Sequence, residues 1–137
     1  MIPRYRAWDK KTETIQEIES ISFKEKKLVI EQGNVAWFNS DYIRNFDEIE
    51  LMQSTGLKDK NGVEIFEGDV VAVENHPFQR KEDSGAGIEI EGNYVVGWNQ
   101  HDLTWCAGDL LLARLKPYVK VVGNLYQNSE LLEEVKK

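Results

Sequence analysis

A single cysteine, Cys106, leaves the chain without a partner for an intrachain disulfide, and no CxxC pair offers a structural zinc site. That economy of thiols fits a reducing compartment, and the cytoplasm is the expected location. Long apolar stretches are missing too. Nothing reaches the roughly 18 residues of a membrane span, and the opening "MIPRYRAWDKK" lacks the apolar centre of a signal peptide, so neither export nor membrane contact is expected. Histidine is limited to His76 and His101, a poor basis for a metal centre, and no metal or other cofactor is expected. P-loop chemistry is absent as well: Gly56 and Gly62 are followed by Val63 and Glu64 where a phosphate cradle needs a lysine and a hydroxyl.

What is present suits an ordinary globular protein. The 137 residues are 41% hydrophobic and 30% charged, enough for a real core without covalent staples. A single domain over 1–137 is expected, with a β-rich part at 1–53, a barrel-like part at 54–127 and a short helix at 128–137. The formal charge of −7 disfavours non-specific binding to a polyanion. It is unevenly spread. Arg4, Arg6, Lys10 and Lys11 against Asp9 give residues 1–11 a local +3, leaving 13 cations against 23 acids, or −10, on the remainder.

Alternating residues from Pro3 to Trp8, with Tyr5 and Ala7 opposite Arg4 and Arg6, predict a half-buried or edge strand. "DKKT" reads as a turn. Ile15, Ile18 and Ile21 have helix-like spacing, but the hairpin-like continuation through Lys24–Lys27 to Leu28–Ile30 favours a strand over Thr14–Phe23. Between them and Ile49, Ser40 or Asp41 caps a helical turn over Tyr42, Ile43 and Phe46, or the segment extends as strand. Ile49 and Leu51 then begin a strand that enters "STGLKDKNGVEIFEGDVVAVE".

In that stretch Gly56 permits a positive φ, and Asn61-Gly62 is the pair favoured in type I′ hairpin turns. Gly68 and Asp69 predict a bend before a strand whose Val71 and Val73 face inward. Asn75 to Gly87 is the clearest loop and is expected to be mobile. Beyond it, Ile88, Ile90, Tyr94, Val96 and Trp98 alternate around a bulge or turn at Gly92. An apolar run at Leu110–Leu115, a strand at Tyr118–Val122 ended by Gly123, and a helix capped by Asn128 or Ser129 complete the chain. β signals dominate, so the expected fold is mainly β: a small SH3-like or barrel-type domain with N-terminal strands and one or two short helices.

"MIPRYRAWDKK", "ELMQSTGLKDKNGVEIFEGDVV" and "VVGNLYQNSELL" together resemble the hallmark stretches of the YopX family of phage and prophage proteins, the match running from Met1 to Leu132. The resemblance implies a β-rich protein with a barrel-like C-terminal part, carried by phages and prophages, in which homo-oligomers are expected. It brings no catalytic residues. Gly56, Leu57, Asp59, Asn61, Gly62, Glu67, Gly68 and Asp69 form its most diagnostic piece, which is read as a folding device rather than a phosphate or calcium loop, since the acids lack the EF-hand register.

Enzymatic readings are weak. His101, Asp102 and Cys106 are near in sequence, which does not make a Cys/His nucleophile. The protein is therefore expected to be a non-enzymatic, oligomeric interaction module with a protein partner. Its candidate surface comprises Arg4, Tyr5, Arg6 and Trp8 on the basic strip and Trp98, His101 and Trp105 on an aromatic patch. Two alternatives stand beside it: a nucleic-acid-binding barrel using the basic strip, which the overall charge disfavours, and an acidic mimic that occupies a basic site on a host protein.

Overall fold

The computed structural model describes residues 4–31, 42–79, 87, 89–128, 130–131 and 135. The chain divides into two compact units, Met1–Ser54 and Thr55–Lys137.

In the first unit, β1 (Tyr5–Asp9), β2 (Thr14–Ser22), β3 (Lys27–Ile30) and β4 (Ile43–Asn45) form an antiparallel meander. After a 3-10 turn at Phe46–Glu48, β5 (Ile49–Lys58) returns beside β1, matching Tyr5 with Gln53 and Asp9 with Ile49. β1 thus lies between β2 and β5. This corrects the edge-strand alternative: both sides of β1 are hydrogen-bonded, and Ala7 and Asp9 are fully buried. The helix-like spacing of Ile18 and Ile21 also finds its cause. A β-bulge between Ile18 and Ser20 shifts the alternation by one residue, so isoleucines three apart pack on one core with Ala7, Leu28 and Ile30. Ser40 and Asp41 lie outside the described residues. The helical turn offered for Tyr42–Phe46 is instead strand at Ile43–Asn45, the 3-10 turn coming next, where the Glu48 carboxylate accepts the Asn45 N–H at 2.9 Å.

In the second unit, the end of β5 is paired by β6 (Glu64–Phe66). β7 (Asp69–Val73), β8 (Gly92–Asn99), β9 (Thr104–Ala107) and β10 (Leu110–Leu111) then make a second antiparallel meander. The apolar run at Leu110–Leu115 becomes β10 plus a single turn of helix, α1 (Leu112–Leu115), and Pro117 sits in the 3-10 turn Lys116–Tyr118 that ends it. β11 (Val119–Asn124) returns beside β7. Among the described residues, each unit thus contains a four-stranded antiparallel meander, a 3-10 turn, and a further strand beside the first of the meander. That is the strand order of an SH3-like barrel, and the expected mainly-β class holds. Val71, Val73, Val96, Leu112 and Val119 fill the second core; burial of each such side chain stabilises by about 1.5–3 kcal/mol.

Three local expectations change. Among Asp59, Lys60, Asn61 and Gly62 only Gly62 has a positive φ, of 82°, and the Gly62 N–H bonds the Asp59 carbonyl at 3.0 Å, so the turn is type I closed by a left-handed glycine and not type I′. The last strand does not stop at Gly123 but continues to Asn124, with a bulge between Val121 and Gly123. Within 128–137, where a short helix is expected, Glu130 and Leu131 are in a 3-10 turn and Val135 bridges to Asn93 in parallel; Ser129, 132–134 and 136–137 are outside the described residues.

Gly123 is required by close approach. A Cβ there would stand 2.5 Å from the Asn128 Oδ1 and 2.8 Å from the Leu131 Cδ1. Both are ends of side chains, so Gly123→Ala is expected to cost on the order of 1–2 kcal/mol in urea denaturation, by pushing Asn128 off the Asn124 N–H. An unchanged midpoint would show that the segment after Asn124 contributes nothing to stability.

Candidate functional site

The central glycine-rich segment folds around one carboxylate. Asp59 is 7% exposed; its Oδ1 accepts the N–H groups of Asn61 and Val63 at 2.8 and 2.9 Å, and its Oδ2 accepts that of Val121 at 2.9 Å. With the Lys60 N–H bonded to the Val119 carbonyl at 3.0 Å, the turn covers the outer side of β11, which is otherwise a sheet edge. Burial alone would raise the Asp59 pKa, but the N–H bonds from Val121, Val63 and Asn61 and the charge of Lys60 outweigh it and hold the carboxyl below its ordinary value. The remaining motif residues act likewise. Gly56, at φ 78°, sits in a kink of β5 where the Thr55 hydroxyl bonds the Ile65 carbonyl and the Leu57 N–H; Leu57 packs on the core. Glu67 and Gly68 make the turn between β6 and β7, closed by the buried Asp69 carboxylate on the Phe66 N–H at 2.8 Å.

On the basic strip Arg4 and Lys10 have acidic neighbours within their own unit. Arg4 lies 3.8 Å from Glu17, and Lys10 lies 3.2 Å from Glu50 and also bonds the Asp47 carbonyl. Tyr5 meets Phe23 edge-on at 6.2 Å, and Phe23 meets Phe46 at 6.0 Å. Arg6 stands opposite Glu17 and Met52, and half-buried Trp8 stands opposite Ile15 and Glu50. The rings and cations interleave as the sequence suggested, but they belong to a strand with neighbours on both sides.

The β8–β9 hairpin carries the aromatic patch. Trp98 and Trp105 are cross-strand partners with centroids 5.3 Å apart and planes at 76°, an edge-to-face pair worth about 0.5–1.5 kcal/mol beyond area burial. Trp105 packs on the core while Trp98 remains 46% exposed, its indole N–H on the Gln100 side chain. At the tip, the Asn99 side-chain oxygen accepts the N–H groups of His101 and Asp102, both at 2.9 Å. The hairpin closes through Leu103 at φ 53°, with 65% of Leu103 exposed. Sequence reasoning missed Leu103, because nothing in "HDLTW" marks a leucine for a left-handed position.

Nucleophile chemistry finds no support at Cys106. Its thiol is buried and pushed up by that burial, then by the charges of Asp102 and Asp109, against which the Asn99 hydrogen bond is insufficient. His76 commits Nδ1 to the Phe78 N–H, and among the described residues no three His, Cys, Asp or Glu side chains gather as a metal site. Among the described residues, no helix is long and apolar enough to cross a membrane.

Two mainly-β units of SH3-like strand order, a carboxylate-stapled GLKDKNG turn and a hairpin with an exposed tryptophan define a small, mainly-β protein. The chain belongs to the YopX family: the family described as YopX protein matches residues 4–133. The solved structure of protein EF1440 from Enterococcus faecalis is similar to it in fold, with a TM-score of 0.65 and 24% identity over 96% of this chain and 99% of that one. No curated protein matches the chain.

Proposed function

We propose that this YopX protein is a non-enzymatic interaction module of a phage or prophage, acting in the host cytoplasm, that self-associates and presents the β8–β9 hairpin to its own copies or to a protein partner. The carrying observation is that one hairpin exposes both Trp98 and Leu103, with Leu103 held in a left-handed conformation that costs a leucine about 1–2 kcal/mol. Apolar exposure and backbone strain at one place are both costs to the free chain, and burial against a partner offsets the first. The acids beside Arg4 and Lys10 favour protein over nucleic acid as partner, as does the charge of −7.

Light scattering across protein concentration and salt tests this. The wild type is expected to form a fixed multimer that Leu103→Asn and Trp98→Ser reduce. Asparagine tolerates the left-handed region, so Leu103→Asn is also expected to raise the stability of the free chain by roughly 0.5–1 kcal/mol while weakening association. That opposite movement separates an interface from a folding element. A monomeric wild type under every condition, or variants of unchanged mass, would overturn self-association through this hairpin.

A further inference from the structure

A groove of about 500 Å3 opens on the second unit between the loop that follows β7 and the 3-10 turn that precedes β11. One wall is a row of rings: His76 stands 5.7 Å from Phe78 and 4.8 Å from Tyr118, and Phe78 is 68% exposed. Buried Ile90 and Leu115 line its apolar side. The row is held in place before anything binds. The Glu74 N–H bonds the Tyr118 carbonyl at 2.8 Å, and the Gln79 side-chain oxygen accepts the N–H groups of Ile90 and Glu91, closing the base of the loop. The polar groups are mostly donors. Because His76 accepts the Phe78 N–H at Nδ1, its own N–H is on Nε2; Tyr118 has a hydroxyl, and Arg114 a guanidinium. Arg114 and Asp109 both line the groove, and neither is in an ion pair among the described residues.

We propose that this groove binds a proline-rich segment of another protein in the polyproline II conformation, with a basic residue at its flank. Such a segment presents flat pyrrolidine rings that stack on aromatic faces, carries few backbone N–H groups and leaves its carbonyls free to accept. A wall of three rings backed by donors complements it. An added β-strand fits less well, since the adjacent edge strand β10 is only Leu110–Leu111 and offers almost no backbone to pair. The basic flank follows from Asp109 and from the −7 charge of the chain, which attracts cationic segments from a distance. The rings and donors carry the inference; the SH3-like strand order accords with it only as analogy.

The test is a titration of the full 15N-labelled chain with three peptides: decaproline headed by arginine, decaproline headed by glutamate, and the arginine peptide with alternate prolines replaced by glycine. The arginine peptide is expected to shift the amides of His76, Phe78 and Leu115, and the glycine peptide to bind about tenfold more weakly because it is not preorganised. Phe78→Ala removes an exposed ring without touching the core, and is expected to weaken the arginine peptide about fivefold or more. Asp109→Asn is expected to remove the preference for arginine over glutamate. The proposal is overturned by no shift at millimolar peptide, by shifts lying outside the groove, by equal binding of the glycine peptide, or by unchanged affinity in Phe78→Ala.

Discussion

Asp59→Ala is expected to lower the stability of the second unit by about 4 kcal/mol, since hydrogen bonds to a charged acceptor contribute roughly 1.5–3 kcal/mol each and three part-buried N–H groups lose theirs together, with water restoring part. Two of the bonds shape the 59–63 turn, and the third ties that turn to Val121 on β11, 62 residues along the chain. Loss of the side chain therefore both loosens a hairpin and uncovers a sheet edge. Hydrogen exchange separates the two effects, since the amides of Asn61, Val63 and Val121 should lose protection first. Asp59→Asn is expected to fall between, because the amide keeps one oxygen but turns an NH2 towards N–H donors. The carboxyl is held below its ordinary pKa in the folded chain, so its contribution is full above the ordinary value and is lost as pH falls through the lowered one. In Asp59→Asn that part of the acid dependence should be missing. Stability within a few tenths of a kcal/mol of wild type in Asp59→Ala would show that the motif is retained for something other than folding.

The part of this fold legible in the sequence is the part written in local chemistry. Val71 and Val73 alternate because one face of β7 is core, and Gly62 and Gly68 mark turns because both need positive φ. The doubled topology was not legible, since the two units share strand order without shared residues and strand order is set by pairings between distant segments. The bulge at Ile18–Ser20 misled in a specific way: it makes a strand bury residues three apart, which sequence periodicity assigns to a helix. At the candidate surfaces, Trp98 and Trp105 were visible as neighbouring aromatics, but their cross-strand pairing in a hairpin was not. Leu103 was hidden because its conformation is imposed by the loop. The row of Phe78, His76 and Tyr118 was hidden for another reason: it joins the β7–β8 loop to the turn before β11, some 40 residues away, and no spacing rule connects them.

Arg44 and Asp9 were equally invisible, and they set the second large effect. Asp9 closes β1 and Arg44 lies on β4; the guanidinium Nε is 3.0 Å from the Asp9 Oδ1, and Asp9 and Arg44 are 0% and 4% exposed. Asp9 also accepts the Lys11 N–H at 3.1 Å and the Thr12 hydroxyl at 2.8 Å, so its carboxylate organises the β1–β2 turn as well. Arg44→Met is expected to cost about 3–5 kcal/mol, because it leaves a carboxylate buried without its cation, and Asp9→Leu about the same for the converse reason. In the double variant no charge is stranded, so its cost should fall short of the sum by about 2 kcal/mol, the remainder reflecting the Lys11 and Thr12 bonds that no hydrocarbon replaces. A urea double-mutant cycle measures this directly. Acid sensitivity provides an independent readout. In the wild type, burial pushes the Asp9 pKa up, but the hydrogen bond and charge of Arg44, with the bonds from Thr12 and Lys11, prevail and keep it low; the stability this brings is lost only as pH falls through that lowered value. Without Arg44 the balance tips towards burial, and Arg44→Met should begin to take up its proton, and change stability with pH, at a higher pH than the wild type. Strictly additive costs with an unshifted acid profile would mean that the pair is solvated in solution and that the β1–β2 turn, rather than the ion pair, holds Asp9 in place.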